Sequence, residues 1–314
     1  MNIKVTQKLL EGFYNAVLTD IFAEYSTNFV RSAIPNTITL LNLSFGCLGI
    51  ILAFNDQLEW AGACVLFGGL MDFFDGLMAR LLKSPSKIGA QLDSLADIVT
   101  FGVLPSIILF QMIRISNGNY FDEFSSLGFQ EIALSALGLA YVWGAAVRLA
   151  VFNVDDEQSL TFKGMPSPAA AVFVASIPMI LGFQFSFNFY ALLDAESMNW
   201  FVGMFHLDAY DQFLIGTLRN TNFLIATSIV LAILMNLRLE FISLKFKNFS
   251  WKENRFKYLF LILGLLTLLY GWAHLVIITP GTLTIEWSSI SIVMILYVLL
   301  SLIQLSTKKN EISS

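Results

Sequence analysis

Apolar positions along this chain gather into blocks near residues 36–54, 59–81, 92–112, 131–151, 167–187, 220–240, 257–278 and 286–306. Each block reaches the length of about 20 residues that an α-helix needs to cross the hydrocarbon of a bilayer. The pattern predicts an all-α polytopic membrane protein with about eight transmembrane helices. Before the first block, Leu9, Leu10, Phe13, Val17, Ile21 and Phe22 recur at helical spacing within residues 6–25. That stretch is too polar to span and suits an amphipathic helix lying in the membrane interface, so residues 1–30 read as a juxtamembrane segment. The last two blocks carry almost no polar residues and read as an appended C-terminal hairpin.

Composition narrows the class. Hydrophobic residues make up 56% of the chain and charged residues 13%, with a mean hydropathy of +0.71. Soluble domains carry about 25% charged residues, which excludes a water-soluble fold. The net charge of -5 gives no electrostatic footprint for nucleic acid. Cys47 and Cys64 both lie in apolar blocks and define no disulfide framework. No small-residue cleavage site follows a short apolar region, so the N-terminus is expected to be retained. Assigning alternate loops to opposite sides places every Lys and Arg except Arg114 and Arg219 on one face, with both termini. Asp122, Glu123, Asp194, Glu196, Asp208 and Asp211 fall on the other. The basic face is expected to be cytoplasmic by the positive-inside rule. Between the sixth and seventh blocks, residues 245–257 interleave basic residues with Phe246, Phe249 and Trp251, as a topology signal beside an aromatic belt does.

Against this background, acids inside the apolar blocks stand out, because an unpaired carboxylate at membrane depth costs several kcal/mol. The second block holds Asp72 and Asp75, which share one helical face with Gly76 and Ala79. The third repeats the device with Gly89, Asp93 and Asp97 at intervals of four. Two antiparallel helices joined by a short turn can direct these carboxylates at one another. Like charges so close require cations between them, and an oxygen-only donor set without His or thiolate favours Mg²⁺ or Mn²⁺, plausibly as two ions. Ions of this kind commonly hold phosphates as well. Gly76 would let a ligand approach the backbone, and Arg80 would offer a phosphate fork. The site then reads as a pyrophosphate cradle at the cytoplasmic membrane boundary, suited to a lipid-linked nucleotide. A cation-coupled transporter with the acids along its ion path is the non-enzymatic alternative, and it leaves the glycines and Arg80 unexplained.

The run Asp72-x-x-Asp75-Gly76-x-x-Ala79-Arg80, eight residues, Gly89, three residues, Asp93, three residues, Asp97 resembles the signature of the CDP-alcohol phosphatidyltransferase family at every fixed position. The resemblance implies a six-helix core over residues 31–245, leaving 246–314 as a basic loop and hairpin, and it implies a homodimer. It implies that Asp72, Asp75, Asp93 and Asp97 ligate a dinuclear metal site, with Asp97 also serving as the base that deprotonates the acceptor alcohol. Gly76, Arg80 and Ser86 would contact the CDP moiety, with Ala79 and Gly89 in the same CDP-diacylglycerol-binding set.

The segments Ile34–Leu43, Arg148–Asn153 and Gly164–Ala170 are similar to the serine-accepting branch of that family, with Val151 where a second Arg is expected. This implies CDP-diacylglycerol and serine as substrates, with membrane lipids as the further partner. Arg148, and Lys163 in the loop above it, are the candidate contacts for the acceptor's carboxylate. Asn36 and Thr39, one turn apart after Pro35, could hydrogen-bond the nucleotide or cap the helix. The same chemistry with glycerol 3-phosphate or an inositol compound is the alternative, disfavoured by the scarcity of further cations. The absence of recognisable organelle signals and the resemblance together suggest a bacterial inner membrane.

Overall fold

A computed structural model describes residues 32–83, 86–119, 122–154, 163–185, 209–243, 250–278 and 286–313. The N-terminal amphipathic segment and residues 245–249 of the basic 245–257 stretch lie outside these. Among the described residues every regular element is helical, apart from an isolated antiparallel bridge between Lys163 and Glu240. Seven helices are long and apolar enough to cross a membrane, or eight when a bent pair is taken as one span. The chain is thus an all-α integral membrane protein, as the block pattern predicts.

Helix α1 (Ser32–Phe54) turns back through Asp56, which takes a left-handed conformation at φ 62°, into α2 (Leu58–Leu81). Asp tolerates that conformation better than most side chains do. The third span is α3 (Lys87–Asp97), a π-helical turn (Ile98–Val103) and α4 (Leu104–Ser116) in one continuous rod. The fourth is α5 (Phe129–Ala136), a 3₁₀ turn (Leu137–Leu139) and α6 (Ala140–Val154). At that turn Ser228 Oγ accepts from the Tyr141 backbone N–H and reaches the Leu137 and Gly138 carbonyls, satisfying groups that would otherwise be bare in hydrocarbon.

The fifth span is α7 (Ser167–Met179) and a second π turn (Ile180–Gln184). Pro168 stands in the first turn of α7, where a missing N–H is harmless. The sixth span is a bent pair: α8 (Ala209–Leu218), which precedes the apolar block at 220–240, and α9 (Thr221–Asn236) meet at 65°. Asn220 makes the break, its side chain accepting from the Asn222 and Phe223 N–H groups to cap α9. The last two helices are α10 (Trp251–Ile278), kinked at Asn254, and α11 (Ser288–Ser313).

Close approach of helices rests on small residues, as is usual in lipid. Gly62 of α2 faces the Ala175 carbonyl of α7, and Gly144 of α6 faces Ala232 of α9. Gly164 has φ +86°, and a Cβ there would clash with the Met235 carbonyl. The 163–166 loop can therefore tuck under the end of α9, where Gly164 N–H donates to Leu239 O and Met165 N–H to Leu234 O. The hairpin is joined to the core by more than its sequence suggests. Ser176 and Ser291 hydroxyls lie 2.6 Å apart, Ile242 N–H donates to Ser301 Oγ, and Tyr297 O–H donates to the Ile242 carbonyl at 3.1 Å.

Candidate metal and substrate site

The acids occupy the C-terminal half of α2 and the N-terminal half of the third span, so the short 82–86 connection brings them to the same end of the bundle. Lys83 takes a left-handed conformation (φ 52°) just beyond α2, and Ser86 Oγ caps α3 by accepting from Gly89 N–H at 2.9 Å. Asp72, Asp75 and Asp93 each present a carboxylate oxygen, and these oxygens all lie within 4.8 Å of one another. The Asp72 and Asp93 carboxyls are within hydrogen-bonding reach of each other. Asp97 lies one turn further along α3, outside that triad, with Asp72, Asp93 and Asp75 as its charged neighbours.

Three buried or half-buried carboxylates at this separation repel unless a proton or a cation stands between them. Every donor is a carboxylate oxygen, the ligand type of hard divalent cations, so the residues present fit such an ion. Beside the triad, the face of α2 is open at Gly76, where an added Cβ would meet nothing within 4 Å. Ala79 is half-buried on the same face, and exposed Arg80 folds its guanidinium back so that Nε donates to the Gly76 carbonyl at 2.9 Å. At Gly89 the space is filled: Ser86 Oγ and Asn36 Oδ1 stand 2.9 and 3.0 Å from where a Cβ would be. Asn36 of α1 thereby touches the start of α3.

Thr39 is only 3% exposed, and its hydroxyl lies 2.6 Å from Asp75 Oδ2 and 3.0 Å from the Pro35 carbonyl. Arg148 of α6 is 8% exposed, and its Nη1 donates to Ser167 Oγ at 3.2 Å. Its Nε is buried with no hydrogen-bond partner among the described residues, as is the hydroxyl of nearby Tyr141. Asp97 and Tyr297 are the other electrostatic neighbours of this guanidinium. Lys163 sits at the edge of the same end of the bundle, half-buried and backbone-paired with Glu240. Val151 is exposed on α6, away from the buried face that carries Arg148.

The family model for CDP-alcohol phosphatidyltransferase matches residues 32–208, more than half of the chain. The chain belongs to the CDP-alcohol phosphatidyltransferase family. It is accordingly an enzyme of that class. Among curated proteins it is 33% identical over 191 residues to a CDP-diacylglycerol–serine O-phosphatidyltransferase of Helicobacter pylori strain J99, covering 60% of this chain and 72% of the relative. A Bacillus subtilis protein of the same name is 34% identical over 139 residues, covering 44% and 71%. An archaetidylserine synthase of Methanothermobacter thermautotrophicus is 31% identical over 152 residues, covering 48% and 58%.

The structure also brings in residues that the signature does not name. Asn42, fully buried on α1, points its Nδ2 at Asp97 Oδ1 at 3.4 Å, and Thr100 in the π turn donates to the Asn42 carbonyl at 3.0 Å. Ser94 and Asn153 form a hydrogen-bonded pair, with Asn153 Nδ2 donating to Ser94 Oγ at 3.0 Å, which ties α3 to α6. One signal for Asn42 is present in the sequence: Asn36, Thr39 and Asn42 recur every three residues in a mostly apolar span.

Proposed function

We propose that this phosphatidyltransferase moves the phosphatidyl group of CDP-diacylglycerol to the hydroxyl of serine, giving phosphatidylserine and CMP. The observation that carries the reading is the oxygen-only triad of Asp72, Asp75 and Asp93, with its open edge at Gly76 and a buried guanidinium nearby. The names of the relatives support serine as the acceptor. Asp72, Asp75, Asp93 and Asp97 would hold two Mg²⁺ or Mn²⁺ ions, which when bound would screen the diphosphate and stabilise the departing CMP.

The open backbone at Gly76 admits the diphosphate, and Arg80 has only to swing from the Gly76 carbonyl to reach a phosphate oxygen. Ala79, Ser86, Gly89 and Asn36 shape the adjoining wall of the nucleotide site. Arg148 takes the serine carboxylate, for which its unpartnered Nε supplies a donor, and Lys163 adds positive charge at the rim. Asp97 accepts the proton of the serine hydroxyl. The serine oxygen bonds to the lipid-side phosphorus while the bond from that phosphorus to the CMP oxygen breaks. The working protein is a homodimer in a bacterial inner membrane, with this end of the bundle facing the cytoplasm, where serine and CMP are exchanged.

Purified protein in nanodiscs, supplied with CDP-diacylglycerol and Mn²⁺, should release CMP with serine and not with glycerol 3-phosphate or an inositol compound. Release with either of the latter alone would reassign the acceptor. No metal-dependent release with any of them would overturn the reaction.

A further inference from the structure

Thr39 and Asn42 lie three residues apart on α1 and are almost wholly inaccessible, at 3% and 0% exposure. By contrast, Gly76 is open and Arg80 is exposed. We propose that both are positioning residues, with α1 acting as a template on which Thr39 sets Asp75 of α2 and Asn42 sets Asp97 of α3. The inference rests on the roles given above to those two acids, and it replaces direct nucleotide contact as the role of Thr39.

For Thr39 the geometry favours the acid. A hydroxyl donates one proton, and Thr39 has two acceptors within range, the Pro35 carbonyl at 3.0 Å and Asp75 Oδ2 at 2.6 Å. The shorter contact is to the charged group, which is the stronger acceptor. Capping would leave the hydroxyl on backbone alone. It would not place a buried hydroxyl against a carboxylate on another helix.

For Asn42 the argument runs through what the side chain leaves unsatisfied. Its Nδ2 reaches Asp97 Oδ1, but its Oδ1 is buried without a partner among the described residues. An unsatisfied buried carbonyl costs about 1–3 kcal/mol, and a leucine would fill similar space without that cost. Stability alone therefore gives no reason for an amide here, whereas a donor directed at Asp97 does. The backbone around it is fixed as well. Thr100 donates to the Asn42 carbonyl from the π turn directly after Asp97. Gly46 and Gly68 clasp Thr100 so closely that a Cβ on either would come within 2.5 Å of its side chain. Gly68 also makes room for the amide, since a Cβ there would stand 2.9 Å from Asn42 Oδ1. The geometry thus registers α1, α2 and α3 on one another at the level of the acids.

The test compares Thr39→Val, Thr39→Ser and Asn42→Leu in nanodiscs, by Mn²⁺ binding followed with electron paramagnetic resonance, by thermal unfolding, and by kcat and KM for CMP release. Removing a group that orients a metal ligand commonly costs about 10–100-fold in affinity or activity. Thr39→Val should weaken Mn²⁺ binding by about 10-fold or more, and Thr39→Ser, which keeps the hydroxyl, should stay within about 3-fold of the parent. Asn42→Leu should unfold no earlier than the parent yet lose about 10–100-fold in kcat, with KM for CDP-diacylglycerol changed less than about 3-fold. If Thr39→Val is not recovered folded, Thr39→Ala serves the same comparison. Parental Mn²⁺ affinity and kcat in the Thr39→Val and Asn42→Leu variants would overturn the proposal, as would a loss confined to KM for CDP-diacylglycerol, which would mean direct substrate contact. Failure of the parent protein to bind Mn²⁺ or release CMP would instead count against the function proposed above.

Discussion

Asp72 and Asp93, both half-buried, come within hydrogen-bonding reach of each other, an arrangement that is uphill for two ionised carboxylates without a cation. Asp93→Asn should therefore raise the unfolding temperature of the metal-free protein by a few degrees. The same change should abolish the further rise that Mn²⁺ gives the parent, and thermal unfolding with and without Mn²⁺ checks both. Asp97→Asn is nearly isosteric and should leave unfolding almost unchanged while lowering the CMP-release rate by about 10²–10⁴-fold, the usual contribution of a general base. The acids were legible in the sequence because charge at membrane depth has few explanations and their spacing selects a helical face. The supports of those acids showed only as the three-residue recurrence of Asn36, Thr39 and Asn42, which does not name their partners. A threonine such as Thr39 can always satisfy itself on the carbonyl four residues back, as Thr37 does on Ala33 and Ser44 on Leu40. Only the packing of α1 against α2 selects the carboxylate instead. Ser86 shows the opposite case: its place before α3 is written locally, and its hydroxyl serves as the cap.

At the scale of elements, the spans could be read from length and apolarity because a bilayer imposes both. What escaped the reading are the interruptions, since averaged hydropathy passes over them. The π turns at 98–103 and 180–184 and the 3₁₀ turn at 137–139 are as apolar as the helices they join. The break between α8 and α9 depends on a single capping side chain, Asn220. Gly164 marks a further junction that has no apolar signal, and there the requirement is steric. Gly164→Ala would place a methyl group against the Met235 carbonyl in a left-handed backbone. It should destabilise the protein by about 2 kcal/mol or more, the sum of a left-handed penalty and local displacement, as measured by thermal unfolding in detergent.

Over the whole molecule, the direction of successive spans puts the acids, Arg148, Ser167 and the 163–166 loop at one end, and the Ser116–Thr221 contact at the other. The proposed orientation predicts that, in a Cys47→Ala, Cys64→Ala background, Lys163→Cys reacts with a membrane-impermeant maleimide only in inside-out vesicles. Asp122→Cys should react only in right-side-out ones, and the reverse result would invert the topology. The hairpin belongs to this frame, because α11 packs on α7 and fastens residues 241–243 through Tyr297 and Ser301. The third span runs from one end to the other and carries a π turn midway. Such a turn holds one residue more than an α-helix allots, and so rotates the helix beyond it by about 100°. The juxtaposition of the acids is thus stored as an angle between the two halves of a single rod. Losing one residue between Ile98 and Val103 would leave every aspartate and every span in the sequence, and would still turn Asp93 and Asp97 away from their counterparts on α2.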